Sequence, residues 1–333
     1  MRDNLKIGMA TAAALLCTAA VFDRAGADEA GVSFWLPGLF GSLAAVPGQP
    51  GWSWTTLYYH TSVSAGGDKV FPRGGRFDAG IDGRGDAFGF GPTYVFATPV
   101  FGAQASVSVL AIGGHMDASI DATLTGPRGN TISGNRSDER WMFGDLYPMV
   151  NLKWNQGVHN FMWYATGDVP VGAYDASRLA NLGIGHGAID SGFGYTYLNP
   201  QTGWEASAVI GFTYNFRNPD TDYRNGIDGH LDWGVSKFVT QQVHVGVVGY
   251  LYQQVGCDSG SGATLGCFRS RVAGVGPQIG YLFPFGGMQG YINLKGYGEF
   301  AAENRPEGWN VWLTLVISPK AQAATATPKP IHK

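Results

Sequence analysis

Charge is scarce in this chain: Asp, Glu, Lys and Arg make up only 14% of its 333 residues. An ordinary soluble domain carries roughly 25%. The little charge present nearly balances, at −3. No basic patch is present, which excludes nucleic acid as a partner, and no charged block marks an interaction tail. Also missing is an apolar run able to cross a membrane as a helix. Phe34–Gly67 and Ala87–Gly114 contain no charged residue, but Pro37, Pro47 and Pro50 break the first, and Pro92 and Pro99 the second. Proline and frequent glycine make a helix interior costly. Cysteine is nearly absent too, at 3 residues, and none lies near a histidine at zinc-ligand spacing. There is no phosphate-binding glycine loop and no nucleophile elbow. His60 shares a strand face with Ser62, and His230 with Asp232, while His159 and His186 fall near strand ends. No nucleophile, base and orienting acid can be identified together, so structural or interfacial histidines are expected. The chain is therefore expected to hold no metal, need no cofactor and catalyse no reaction.

What the chain has instead is alternation. From Trp204 to Phe216, the residues Trp204, Ala206, Ala208, Ile210, Phe212, Tyr214 and Phe216 share one parity; Glu205, Ser207, Val209, Gly211, Thr213 and Asn215 share the other. A strand sends successive side chains to opposite faces, so this segment has one greasy face and one wetter face. It is long enough to cross a bilayer at a tilt. Similar segments recur at Trp52–Ser64, Asp86–Ala97, Ala103–His115, Trp141–Trp154, Val158–Val169, Gly187–Leu198, Gly229–Phe238, Gln242–Gln254, Arg271–Phe283, Gln289–Phe300 and Gly308–Ile317. Their connections alternate in length. Thr98–Gly102, Asn155–Gly157, Asn199–Gly203, Val239–Gln241 and Pro284–Gly287 are short; Ala65–Gly85, Met116–Arg140, Pro170–His186, Arg217–Asp228 and Val255–Ser270 are long and mostly polar, and Ala301–Glu307 is modest. Short turns on one rim and long loops on the other characterise a transmembrane β-barrel. The expected fold is all-β: an antiparallel up-and-down barrel of about 12 strands, with about 14 as the alternative.

The N-terminus predicts the compartment. Arg2 and Lys6 precede an uncharged stretch, Ile7–Phe22, and Ala25-Gly26-Ala27 is a small-residue cleavage site. Residues 1–27 read as a Sec signal peptide cut after Ala27, directing the chain to the outer membrane of a Gram-negative bacterium. Residues 28–51 form an apolar segment ahead of the first strand, residues 52–318 the barrel and residues 319–333 a disordered tail. Phe34, Trp35, Leu36 and Phe40 make the N-terminal segment too apolar to float free. It either enters the lumen as a plug or gate, or lies against the periplasmic rim. Cys257 and Cys267 flank a Gly/Ser-rich loop in an exported chain, and are expected to form a disulfide.

Parity also predicts the lumen. Asp145, Tyr147, Asn151 and Lys153 share the inner face of one strand, Tyr164 and Asp168 that of the next, and Glu205 the polar face described above. Tyr291, Asn293, Lys295, Tyr297 and Glu299 share another. A charge on the lipid face costs a few kcal/mol at mid-depth, so these residues point inward. They either brace a narrow barrel through salt bridges or touch a substrate, and the tyrosines suit aromatic ligands. Trp52, Trp141, Trp154, Trp204 and Trp309 fall near strand ends, where interfacial girdles belong.

Several stretches resemble a known family. Phe34-Trp-Leu-Pro-Gly-Leu-Phe-Gly-Ser-Leu-Ala-Ala-Val-Pro47, Gly144-Asp-Leu146, Gly192-Phe-Gly-Tyr-Thr-Tyr197, Gly276-Pro-Gln-Ile-Gly-Tyr281, Asn293-Leu-Lys-Gly-Tyr297 and Asn304-Arg-Pro306 are similar to bacterial proteins of a meta-pathway of phenol degradation. The resemblance covers essentially the whole mature chain. It implies an outer-membrane barrel akin to porins for hydrophobic compounds, such as long-chain fatty acid transporters. The family name records a pathway association, and no functional residue is carried over. One departure is the C-terminus, where Pro319–Lys333 follows the last strand in place of a terminal aromatic. The expected partners are outer-membrane lipid, a small hydrophobic or aromatic ligand, and the barrel assembly machinery. The expected function is passive uptake of such compounds; a structural or surface-interaction barrel is second and an outer-membrane hydrolase third.

Overall fold

The computed structural model describes residues 33–70, 76–264, 266–267 and 269–320. The expected signal peptide, its cleavage site and residues 321–333 of the tail lie outside the described residues. Twelve strands form the chain: β1 (Gly51–Val70), β2 (Arg76–Val95), β3 (Gln104–Thr125), β4 (Thr131–Gln156), β5 (His159–Asp168), β6 (Ala188–Asn199), β7 (Trp204–Asn215), β8 (Asp228–Phe238), β9 (Val243–Gln254), β10 (Arg271–Phe285), β11 (Met288–Glu303) and β12 (Glu307–Ser318). Each pairs antiparallel with its sequence neighbours, and β1 pairs with β12 to close the barrel. The seam runs from Trp54↔Ile317 to Ser64↔Glu307. The alternative of fourteen strands is thereby set aside.

The walls obey the expected parity. Along β7, Glu205, Ser207, Val209, Gly211, Thr213 and Asn215 are buried, while Trp204, Ile210, Phe212 and Tyr214 are exposed. The outer face is apolar because it meets hydrocarbon, and the inner face collects the polar groups because they find partners only there. Large residues such as Phe193, Val247 and Leu294 extend the same outer surface. Glycine makes the inner face fit. A Cβ on Gly211 would stand 2.1 Å from the Tyr164 hydroxyl, and one on Gly280 would stand 2.0 Å from His244 Nε2. Large side chains thus lie flat across glycines of other strands, an approach open only to a residue without a Cβ.

Short turns follow their expected chemistry. The β10–β11 connection is Gly286-Gly287, with φ of 53° and 83°, between the paired Phe285 and Met288. Two positive φ values suit the twist of a tight hairpin. Two of the long connections depart from the sequence reading. Ala65–Gly85 and Met116–Arg140 were expected to be loops, yet the ladders continue through them, to Val70↔Arg76 and Thr125↔Thr131. Strands β1–β4 therefore run to 20, 20, 22 and 26 residues, against 10 to 12 for β5–β9. These extensions meet water on both faces, so their sequence has no reason to alternate, and backbone pairing alone continues the sheet. The barrel wall is consequently tall on one side.

Candidate functional site

Residues 33–50 precede β1 and form irregular turns. Such a segment has no ladder to satisfy its amides and carbonyls, so it needs partners from elsewhere. It finds them on the inner face of the barrel. Thr196 Oγ1 of β6 accepts from the Ala45 amide at 3.0 Å, and Glu205 Oε1 of β7 accepts from the Leu43 amide at 2.9 Å. Asp232 of β8 accepts from both Gly38 (2.9 Å) and Phe40 (3.1 Å). The cations take the carbonyls. Lys153 of β4 donates to Ala44 (2.6 Å) and Val46 (3.3 Å); Lys295 of β11 donates to Gly38 (2.5 Å), Leu39 (3.1 Å) and Phe40 (3.2 Å). Gln278 Nε2 of β10 donates to Ser42 Oγ at 2.6 Å. Gly38 (φ 85°) and Leu43 (φ 67°) supply the left-handed turns that aim these groups outward at the wall.

The apolar side chains of the segment continue towards the long-loop end. Trp35 is 2% exposed and stacks on His230, with ring centroids 3.6 Å apart and planes 12° apart. Phe34 stacks on Tyr147 at 5.8 Å, and Phe40 meets Tyr164 at 5.4 Å. Leu36 packs against the same cluster. Beneath Trp35 lies a polar knot: Asp190 accepts from Tyr164 Oη (2.7 Å) and Thr213 Oγ1 (2.6 Å), and also meets His230 Nε2 at 3.0 Å.

The residues selected from the sequence sort into three groups. Tyr147, Lys153, Tyr164, Glu205, Lys295 and Tyr297 touch residues 33–46. A second group ties strand to strand. Tyr291 meets His244 Nε2 at 3.0 Å, Asn293 donates to the Ile279 carbonyl at 3.1 Å, and Glu299 accepts from Tyr250 Oη at 2.7 Å; Asn151 is buried in the wall without a printed hydrogen bond. The third group stands at the long-loop end. Asp145 accepts from the amides of Gly172 (2.7 Å) and Ile184 (2.9 Å), pinning the loop after β5. Asp168 is buried, and neither of its carboxylate oxygens has a hydrogen-bond partner among the described residues. The internal salt bridges considered from the sequence are not what Lys153 and Lys295 make: both turn to backbone carbonyls. Asp232, Thr196, Ser236, Gln278 and Asp190 were not selected from the sequence, although parity placed Asp232 on the inner face.

The same loop and the one after β7 border a cavity of ≈ 430 Å³, whose lining includes Tyr174, His186, Arg217 and Pro219. Burial pushes the His186 imidazole down to about 4, so it is neutral at physiological pH. At the neighbouring loop Cys257 and Cys267 form the expected disulfide, with Cα atoms 4.6 Å apart. On the outer wall Trp52, Trp141, Trp204 and Trp309 are exposed, while Trp154 is half-buried.

Comparison with known proteins agrees with this architecture. Residues 62–315 match the family described as "Putative MetA-pathway of phenol degradation". No curated protein matches the sequence. Among solved structures, the COG4313 outer membrane channel from Pseudomonas putida F1 is similar at 13% identity. That match covers 81% of this chain and 96% of the channel, with a TM-score of 0.57. A Pseudomonas aeruginosa FadL homologue matches at 7% identity over 80% of this chain and 88% of its own, with a TM-score of 0.40.

Proposed function

Because this chain belongs to the MetA-pathway of phenol degradation family, we propose that it is a channel of the bacterial outer membrane for passive uptake of small hydrophobic or aromatic compounds, gated by its N-terminal segment. The carrying observation is the manner of closure. Residues 38–46 are held by hydrogen bonds from wall side chains to main-chain groups, with no covalent tie and no shared strand ladder. Bonds of this kind exchange readily for water, so the segment can leave as a unit while the wall stays closed. A compound arriving from the long-loop side meets Phe34, Trp35, Tyr147 and Tyr164, rings that would hold an aromatic solute by stacking. It displaces the segment, passes down its gradient, and the segment re-docks. In this reading the chain is exported with its signal removed after Ala27, assembled by the barrel assembly machinery, and bathed in lipid along its apolar exterior.

The test is uptake by proteoliposomes holding the refolded chain, with and without residues 28–51, for phenols, fatty acids and sugars. Selective entry of the hydrophobic compounds, faster after deletion, is expected. Entry no faster than into empty liposomes for both proteins, with insertion confirmed, would leave the barrel a structural or surface-interaction role.

A further inference from the structure

The loop after β5 (residues 169–187) and the loop after β7 (residues 216–227) enclose the ≈ 430 Å³ cavity, and no residue of the N-terminal segment lines it. Its walls are unequal. Pro170, Tyr174 and Pro219 give it apolar surface, Arg217 and Asp220 stand at its exposed side, and His186 at its buried side. His186 is 3% exposed, and neither ring nitrogen has a hydrogen-bond partner. Native folds seldom leave a buried imidazole unanswered, so an orphan facing a cavity points to an absent ligand.

The cavity is built in advance. A Cβ on Gly185 (φ +73°) would stand 2.6 Å from the Tyr174 ring, so the ring lies directly against that backbone. The Tyr174 hydroxyl accepts from Asn218 Nδ2 at 2.9 Å, which ties the two loops together. A preformed wall spares a ligand the cost of ordering it.

We propose that this cavity binds a small neutral hydroxylated aromatic compound of the phenol class, with its ring on Tyr174 and the prolines and its hydroxyl on His186. A neutral imidazole offers one donor and one acceptor, and a hydroxyl complements either. Burial keeps His186 in that neutral form. Anions are disfavoured: Asp145 and Asp220 both line the cavity, and the Arg217 guanidinium is paired with Asp222 at 2.5 Å. Plain hydrocarbons would leave His186 unanswered. The inference deepens the uptake reading and rests on it for the direction of traffic: this is where a ligand is first held.

The full chain in detergent serves for the test, with 4-bromophenol and bromobenzene as probes and bromine located by anomalous scattering in soaked crystals. 4-Bromophenol is expected to bind about ten-fold tighter than bromobenzene, the effect of one neutral hydrogen bond, with bromine in the cavity. His186→Leu removes that preference, and Pro219→Trp, an exposed position, weakens both probes. Equal affinities in the wild type, a preference that survives both variants, or bromine elsewhere would overturn the site. Should His186→Leu fail to fold, Pro219→Trp and the bromine position decide. Uptake by liposomes without the phenol preference sinks this site alone; a retained preference without uptake sinks the channel reading and leaves the site.

Discussion

Lys295 donates to three consecutive carbonyls of the N-terminal segment, and its ammonium also lies 5.4 Å from the Trp312 ring. Hydrogen bonds from a charged donor each contribute about 1.5–3 kcal/mol. Lys295→Met keeps the aliphatic stem and removes the donors. Single-channel recording in planar bilayers is therefore expected to show open events at least about ten-fold more frequent, since about 1.4 kcal/mol suffices for that factor. An unchanged record would mean that the segment is held elsewhere. His186 predicts a pH effect. Its folded pKa lies below the unfolded value, so its contribution to loop docking is complete above about 6.5 and is lost as pH falls through about 4. Hydrogen exchange of residues 169–187 should rise over that window. Asp145, Asp168 and Asp220 titrate nearby, so His186→Gln serves as the control: it should flatten the histidine part of the curve and leave theirs.

At the scale of elements, glycine placement is the sharpest constraint. Gly211→Leu would drive a side chain into Tyr164 and His230. Overpacking of this kind typically costs 1–3 kcal/mol, and more where neither neighbour can yield. The folded barrel should then lose its heat-modifiable gel mobility at lower temperature, and Tyr164→Ala in the same chain should recover part of the loss. The disulfide predicts a more local effect. Cys257→Ala with Cys267→Ala removes a closure of 10 residues, worth up to about 3 kcal/mol of loop entropy. Faster proteolysis between β9 and β10 is expected, with barrel insertion unchanged. How much of this was legible in the sequence follows from what each residue faces. In β5, β7 and β11 one side meets lipid, so polarity alternates and the inward residues could be named. Beyond the bilayer both faces of β1–β4 meet water and the alternation lapses, so the tall hairpins read as loops. The docking of residues 33–46 left little trace, because the wall recognises main-chain groups that every residue carries. Asp232 did leave one: a carboxylate on the polar parity of β8, first weighed as a companion of His230 in a reaction.

For the whole molecule, the wall and what fills it are energetically separate. The twelve ladders close without a residue of the N-terminal segment. Deleting residues 28–50 should therefore leave the barrel folded, with its far-ultraviolet spectrum and protease-resistant core intact, while ion conductance rises. Collapse of the barrel on deletion would show that the segment is a keystone and no gate. The seam between β1 and β12 also imposes an order in time. The partners of residues 38–46 sit on β4, β6, β7, β8 and β11, with Lys295 following Gly38 by 257 positions. The segment leaves the export machinery first and finds its last anchor only after nearly the whole chain has followed. Throughout that interval its amides have water as their partner, and the nascent barrel has an empty interior. Sealing is thus the final act of biogenesis, and each molecule spends the end of its own assembly as an open pore.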